Sequence, residues 1–286
     1  MRAFVPDYEM VAPSTLSAAL ALLSQRPGVW KPFAGGTDLM VLMESGKLKH
    51  QRFVSLWGLR ELSGIWEDQA TVTIGALTTY ASLRQSRVVQ QQLPMLARAA
   101  QETGGVATQN RGTLGGNIAN GSPAADSPPA LLVYDAELEL LSARGSRWIP
   151  YATFHTGYKT NVMAADEIIS RVRIPLPVAV AERREQYRKV GTRNAQAISK
   201  VCLAAKLEMD GNRVRRARVA LGSVAPLPLR CVKTEAMLEG GPLNTETIAA
   251  ARQQLEAEIS PIDDIRSTEG YRRRVAGNLL EEFLRS

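Results

Sequence analysis

Two double-glycine turns, Ala34-Gly35-Gly36-Thr37-Asp38 and Thr113-Leu114-Gly115-Gly116-Asn117, are the stretches of this chain best suited to chemistry. Glycine lacks a Cβ, so its backbone N–H can turn toward a ligand and the ligand can approach closely. A phosphate group needs such a surface, above all where a helix N-terminus adds the positive end of its dipole. Each turn also places a small polar side chain directly after its glycines. The second runs on through Ile118-Ala119-Asn120-Gly121-Ser122-Pro123-Ala124-Ala125-Asp126, a long polar loop expected to end at an apolar helix around Leu131. Together the turns read as two loops holding one nucleotide cofactor.

Regular elements must deliver them. Thr15 precedes an apolar stripe of Leu16, Ala19, Leu20 and Leu23, which predicts a capped helix. A strand near Trp30–Phe33 leads into the first turn, Thr37 or Asp38 caps a helix through Leu39–Met43, and Arg52–Leu56 is the next strand. Val72, Ile74 and Ala76 alternate as a strand, Thr78-Thr79 caps a short helix, and Leu93–Thr103 is helical. After the second turn come a helix near Ala124–Val133 and strands at Glu137–Leu141, Trp148–Pro150 and Glu167–Ile174. Ile174-Pro175-Leu176-Pro177 marks a boundary, since two prolines end any regular element. Beyond it, Gln186–Val190, Ile198–Met209 and Val214–Val224 read as a three-stranded antiparallel sheet, with Asp210-Gly211-Asn212 as a turn. Helices at Arg230–Leu238, Thr245–Ile259 and Thr268–Leu284 form a layer behind it.

Several chemistries are excluded. There is no G-x-G-x-x-G, no Walker A loop, no H-E-x-x-H, no G-x-S-x-G and no paired C-x-x-C. Two cysteines, Cys202 and Cys231, and two histidines cannot build an iron–sulfur cluster or a histidine metal site. Cys202 lies among apolar neighbours and reads as a core thiol. The net charge of +7 raises nucleic acid as a partner, but the basic residues are scattered and lack aromatic interleaving. A solvated face or a docking surface for an acidic partner subunit fits better. No apolar run is long enough for a membrane span and the first residues lack a signal-peptide pattern, so a cytoplasmic enzyme or enzyme subunit is expected.

The run Lys31-Pro32-Phe33-Ala34-Gly35-Gly36-Thr37-Asp38-Leu39, followed by Arg111-Gly112-Thr113-Leu114-Gly115-Gly116-Asn117 and on to Asp126, resembles the FAD-binding medium subunit of molybdenum hydroxylases, the family of xanthine dehydrogenase and carbon monoxide dehydrogenase. Further matching segments are Phe154–Lys159, Asp166–Ile169, Arg188–Gly191, Leu221–Pro226 and Tyr271–Leu280. The resemblance spans essentially the whole chain. It implies an α+β fold: an FAD-binding fold of the vanillyl-alcohol oxidase type in two α/β subdomains, 1–57 and 58–177, then a sheet-and-helix domain, 178–286. It also implies an oxidoreductase subunit that takes electrons from the [2Fe–2S] clusters of a small partner subunit, beside a large molybdopterin subunit, and passes them to NAD or another acceptor. Neither nucleic acid nor a membrane is an expected partner. A self-sufficient FAD-dependent oxidoreductase of the same fold is the alternative.

Carried onto this sequence, the resemblance lines the FAD diphosphate with Lys31, Ala34, Gly35, Gly36, Thr37 and Asp38. Thr113, Gly116, Asn117 and Asp126 contact the cofactor from the second turn, and Ile169 and Lys189 sit beside the flavin ring. On pattern alone Asp126 caps the following helix, Ile169 is core, and Lys189 is a solvated strand residue. Two departures stand out: Thr192-Arg193-Asn194 follows the Lys-Val-Gly segment, and Trp57-Gly58 replaces a more usual Asp-Leu, leaving that strand end unexplained.

Overall fold

The computed structural model describes residues 7–176, 182–193 and 196–286. Pro177, at the expected boundary, and Asn194 lie outside them. Three sheets organise the described chain. The first is parallel, in the order Glu9–Val11, Arg52–Ser55, Lys31–Phe33. Helix Leu16–Gln25 packs on it, its first turn capped by the Thr15 side chain, which accepts from Ala18 N. Ala19, Leu20 and Leu23 form the buried stripe anticipated from their spacing, and they meet Val54, Leu56, Leu59, Leu77 and Ile168.

Five antiparallel strands make the second sheet, in the order Ile65–Glu67, Thr71–Gly75, Ile168–Pro175, Glu137–Ser142, Gly145–Pro150. Its strands alternate because helices cover one face, while the other is covered only at one end, where Ile168 and Leu141 meet the first unit. Val72, Ile74, Leu138, Leu140, Val172 and Ile174 are buried beneath helices Tyr80–Gln85, Pro94–Glu102, Leu114–Asn120 and Ser127–Val133. The other face carries charge pairs, Arg173 with Glu137 at 2.8 Å and Arg171 with Glu139 at 3.7 Å.

The third sheet is antiparallel, in the order Glu182–Val190, Val201–Asp210, Arg213–Gly222, Leu229–Arg230. The expected three strands thus gain a fourth: Leu229 and Arg230 pair with Leu221 and Ala220, so the following helix begins at Val232 rather than Arg230. Strand Val201–Asp210 is buried at nine consecutive positions; it is apolar through Ala205, and its buried Lys206 and Glu208 pair with each other at 3.4 Å. Val201, Leu203, Ala205 and Leu207 face helices Val232–Leu238, Thr245–Glu258 and Glu269–Arg285. Cys202 and Ala204 point the other way, into the core of the second sheet's helices. The sheet is therefore sandwiched between its own helices and the preceding unit.

A charged clamp reinforces that junction. Asp135, in a left-handed conformation with φ 53°, ends the turn after helix Ser127–Val133. Its carboxylate accepts from Arg216 at 2.9 Å, from Arg218 at 3.2 Å and from Arg230. Glu235 takes Arg230 from the other side at 2.9 Å and also accepts from Val219 N. Asp135→Ala removes three arginine partners and puts alanine at positive φ, so it should lower the unfolding free energy by about 2 kcal/mol. Asp135→Asn, which tolerates that backbone, should lose only about half as much. Chemical denaturation checks this; equal stability in all three proteins would contradict the clamp.

Candidate functional site

The first glycine turn leaves the parallel sheet at Phe33, whose carbonyl accepts from Leu56 N at 2.8 Å. Gly36 has φ +77°, and a Cβ there would lie 2.6 Å from Phe33 Cζ, so glycine is required on two counts. Helix Leu39–Glu44 starts when Met40 N bonds Gly36 O at 2.9 Å. Neither Thr37 nor Asp38 caps it as expected: Asp38 precedes it in a helical conformation without a side-chain bond to its N–H groups. Its carboxyl instead lies near Asn120 and Lys159; desolvation by the surrounding protein pushes its pKa up, opposed by these two neighbours. Among the described residues, the N–H groups of Gly35, Gly36, Thr37, Asp38 and Leu39 bond to no protein group. Five successive unspent donors beside a closed glycine turn form an anion cradle.

The second turn is held differently. Leu114 N bonds Thr78 O at 3.0 Å, Gly115 N bonds Ala76 O at 2.8 Å, and Tyr80 N bonds Gly112 O at 3.1 Å. Thr113 Oγ1 accepts from Gly116 N at 3.1 Å and so caps a helix, Leu114–Asn120. The long polar loop expected here is therefore helical in its first half, and only Gly121–Asp126 separates it from helix Ser127–Val133. Two glycines in a first turn oppose a helix locally, by about 1 kcal/mol each, and the bonds to Ala76 and Thr78 outweigh that. Because those N–H groups are already spent, the polar atoms this side offers are side chains: the Thr113 hydroxyl, the Asn117 amide and Asn120. Asn117 is oriented by Ser127, which donates to its Oδ1 at 2.6 Å.

The two turns touch. A Cβ on Gly35 would fall 1.7 Å from Arg111 O, and one on Gly116 would sit 3.6 Å from Ala34 Cβ. Lys31 is exposed at the start of its strand, without a carboxylate partner among the described residues. Adjoining the turns is a cavity of about 350 Å³ lined by Trp57, Ser63, Gly64, Ile65, Leu77, Thr78, Thr79 and Ser82. Sequence reasoning read Thr78 and Thr79 only as caps and missed this hollow. Gly64 was the available signal: its φ is +130°, and its N–H and C=O both bond Thr78 Oγ1, at 3.1 and 3.0 Å.

Asp126 and Lys189 come together where the Gly121–Asp126 turn meets helix Ser127–Val133. Lys189 Nζ lies 2.7 Å from Asp126 Oδ2 and donates to Glu102 O at 2.9 Å, with both side chains almost fully buried. Lys189 is therefore no solvated strand residue, and Asp126 makes no side-chain cap despite its position before helix Ser127–Val133. Burial raises the Asp126 carboxyl to about 6, and Lys189 pulls against that rise. Its Oδ1 is buried without a partner, since the nearby Thr103 hydroxyl is spent on Ala99 O at 2.8 Å. Tyr187 donates to the Asp126 carbonyl at 3.0 Å, so one strand of the third sheet holds this residue twice. Ile169 is buried in the core under the helices, beside the bulge where Ser170 O accepts from Ala76 N.

The matching segments outside the turns brace them. His155–Gly157 pairs with Thr160–Asn161 as a hairpin, and this hairpin packs against Gly121, at the end of helix Leu114–Asn120. Tyr151 OH lies 3.1 Å from His155 Nε2. Ser223, with φ 66°, gives its N–H to Pro123 O at 2.7 Å, and buried Arg272 holds Ser223 O at 2.9 Å. The third sheet thus grips the Gly121–Asp126 turn. Among the described residues no three His, Cys, Asp or Glu side chains are grouped to hold a metal ion.

A closed glycine cradle with free donors, a facing polar helix start and cations nearby define a dinucleotide-binding α+β protein, and the comparisons agree. Residues 6–177 match the family described as FAD binding domain in molybdopterin dehydrogenase, and residues 186–286 match the CO dehydrogenase flavoprotein C-terminal domain. The chain is 33% identical over 272 residues to the xanthine dehydrogenase FAD-binding subunit of Escherichia coli O157:H7, covering 95% of this chain and 92% of that one. It is 31% identical over 280 residues to the carbon monoxide dehydrogenase medium chain of Hydrogenophaga pseudoflava, covering 98% and 96%. The solved structure of that organism's carbon monoxide dehydrogenase lacking the Mo-pyranopterin moiety superposes with a TM-score of 0.93, over 99% of this chain and 97% of the other. The chain belongs to the FAD-binding medium subunits of the molybdenum hydroxylases, which are oxidoreductases.

Two outcomes follow from this geometry. Gly35→Ala drives a methyl group into the Arg111 carbonyl and should leave a folded chain stripped of flavin, whereas Gly58→Ala, whose Cβ meets nothing within 4 Å, should keep it. Flavin absorbance of the purified variants checks this, and equal content would contradict the closed cradle. Separately, burial holds the His155 imidazole neutral, its pKa brought down from 6.5 to about 4. The folded state then takes up that proton at lower pH than the unfolded state, so stabilisation present above pH 6.5 is lost as pH falls toward 4. Over that window wild type should lose roughly 1–2 kcal/mol more than His155→Gln in denaturation curves, the partly exposed imidazole being screened by solvent. Parallel pH profiles would contradict it.

Proposed function

We propose that the chain holds one FAD across its two glycine turns, receives electrons from the [2Fe–2S] clusters of a small partner subunit and delivers them to NAD, in a cytoplasmic complex whose large subunit carries molybdopterin. The row of five unspent donors from Gly35 to Leu39, facing the second turn, is the observation that supports this most directly. In this reading Gly35, Gly36, Thr37 and Asp38 present their N–H groups to the diphosphate, and Lys31 neutralises its charge. Ala34 and Gly116 leave room for it, while the Thr113 hydroxyl and the Asn117 amide close the opposite side. When bound, the flavin supplies a hydride donor that can be filled one electron at a time.

Lys189 and Ile169 face the ring end. Lys189 favours negative charge beside it, and its pairing with Asp126 keeps the cation fixed in a dry setting. Ile169 contributes an apolar wall. The division into units 1–57, 58–177 and 178–286 belongs to the same reading, although the clusters cross its boundaries: Leu59, Leu62, Leu77 and Ile168 pack with the first unit, and Tyr187, Cys202, Ala204 and Ala220 with the second.

Copurification from the native host tests the assembly. The complex should contain molybdenum, iron and flavin and reduce NAD with its substrate, and the isolated chain should bind FAD yet oxidise no purine. Purine oxidation by the isolated chain would overturn the subunit role.

A further inference from the structure

Trp57, left without a role by the sequence, has a partner in the fold. The Arg111 guanidinium lies flat on its ring, 3.7 Å from the centroid. Arg111 Nε also reaches Gly35 O at 3.4 Å across 76 residues, a long contact that aims the head at the first turn. Arg111 itself lies two residues before the second turn, and its carbonyl occupies the space that a Gly35 side chain would need. Among the described residues its terminal nitrogens bond to no protein group and it has no carboxylate partner. An arginine held by stacking and by one backbone oxygen keeps its charge and most of its donors for something else. With Lys31, assigned to the diphosphate in the function proposed above, it would supply two positive charges, which match the two negative charges of a diphosphate.

We propose that Arg111 is a second diphosphate-binding cation of this site and that Trp57 is the positioning residue that holds it over the cleft. The proposal rests on reading the cleft as an FAD site. Titration of the flavin-free full chain with FAD, followed by flavin fluorescence at several ionic strengths, tests both and separates them. Wild type should bind with an affinity that falls as salt rises. Arg111→Gln should weaken binding roughly ten- to hundredfold and flatten the salt dependence, with the melting temperature of the flavin-free chain unchanged. Arg111→Lys should restore the salt dependence and part of the affinity. Trp57→Leu, which leaves the charge present but unheld, should weaken binding severalfold and keep the salt dependence. Arg111→Gln binding as tightly as wild type, or more weakly with the full salt dependence, would overturn the proposal. Failure of wild type itself to bind FAD would instead remove the site reading beneath it.

Discussion

The close approach of Gly35 to the Arg111 carbonyl is the contact on which the site depends. Two backbones far apart in sequence meet with no side chain between them, which only glycine permits. That approach lets the first turn leave five N–H groups unspent while the second, its donors already bonded to Ala76 and Thr78, serves as a rigid wall. The division of labour is physical: one turn supplies donors, the other supplies position. Both are anchored on different sheets, so the cleft exists only when those sheets are correctly docked.

Docking is achieved largely by apolar burial and completed by a few polar contacts. Leu77 and Ile168 join the first unit to the second, and Cys202, Ala204 and Tyr187 join the third sheet to the helices of the second. Onto this packing are added the Asp135 clamp, the Ser223 bond to Pro123 and the Lys189–Asp126 pair. The last two act on one short turn, Gly121–Asp126, between the helix of the second glycine pair and the next helix. The C-terminal unit therefore does more than cover a core. It fixes the far end of the element that faces the cofactor cradle.

Much of this was legible in the sequence wherever local chemistry decided the outcome. The Thr15 cap and stripe, the alternation of Val72 and Ile74, the apolar run of Val201–Ala205 and the Asp210-Gly211-Asn212 turn each carry their own signal. Short elements fixed by tertiary bonds were not legible. Helix Leu114–Asn120 contains two glycines and forms because Ala76 and Thr78 hold it, and strand Glu9–Val11 is three residues pairing with a distant partner. The site divides the same way. The glycines were visible because their lack of a side chain is their function, whereas the Lys189–Asp126 pair and the Trp57–Arg111 stack join residues that only the fold makes neighbours. A cap motif likewise could not reveal that Asp126 would turn to Lys189 instead of its own helix.

A crystal structure of the chain loaded with FAD is the most direct measurement of the central claim. The diphosphate should be seated on the backbone of Gly35–Leu39, with Thr113, Gly116 and Asn117 on its opposite side. A diphosphate bound elsewhere, leaving the Gly35–Leu39 donors facing solvent, would contradict it.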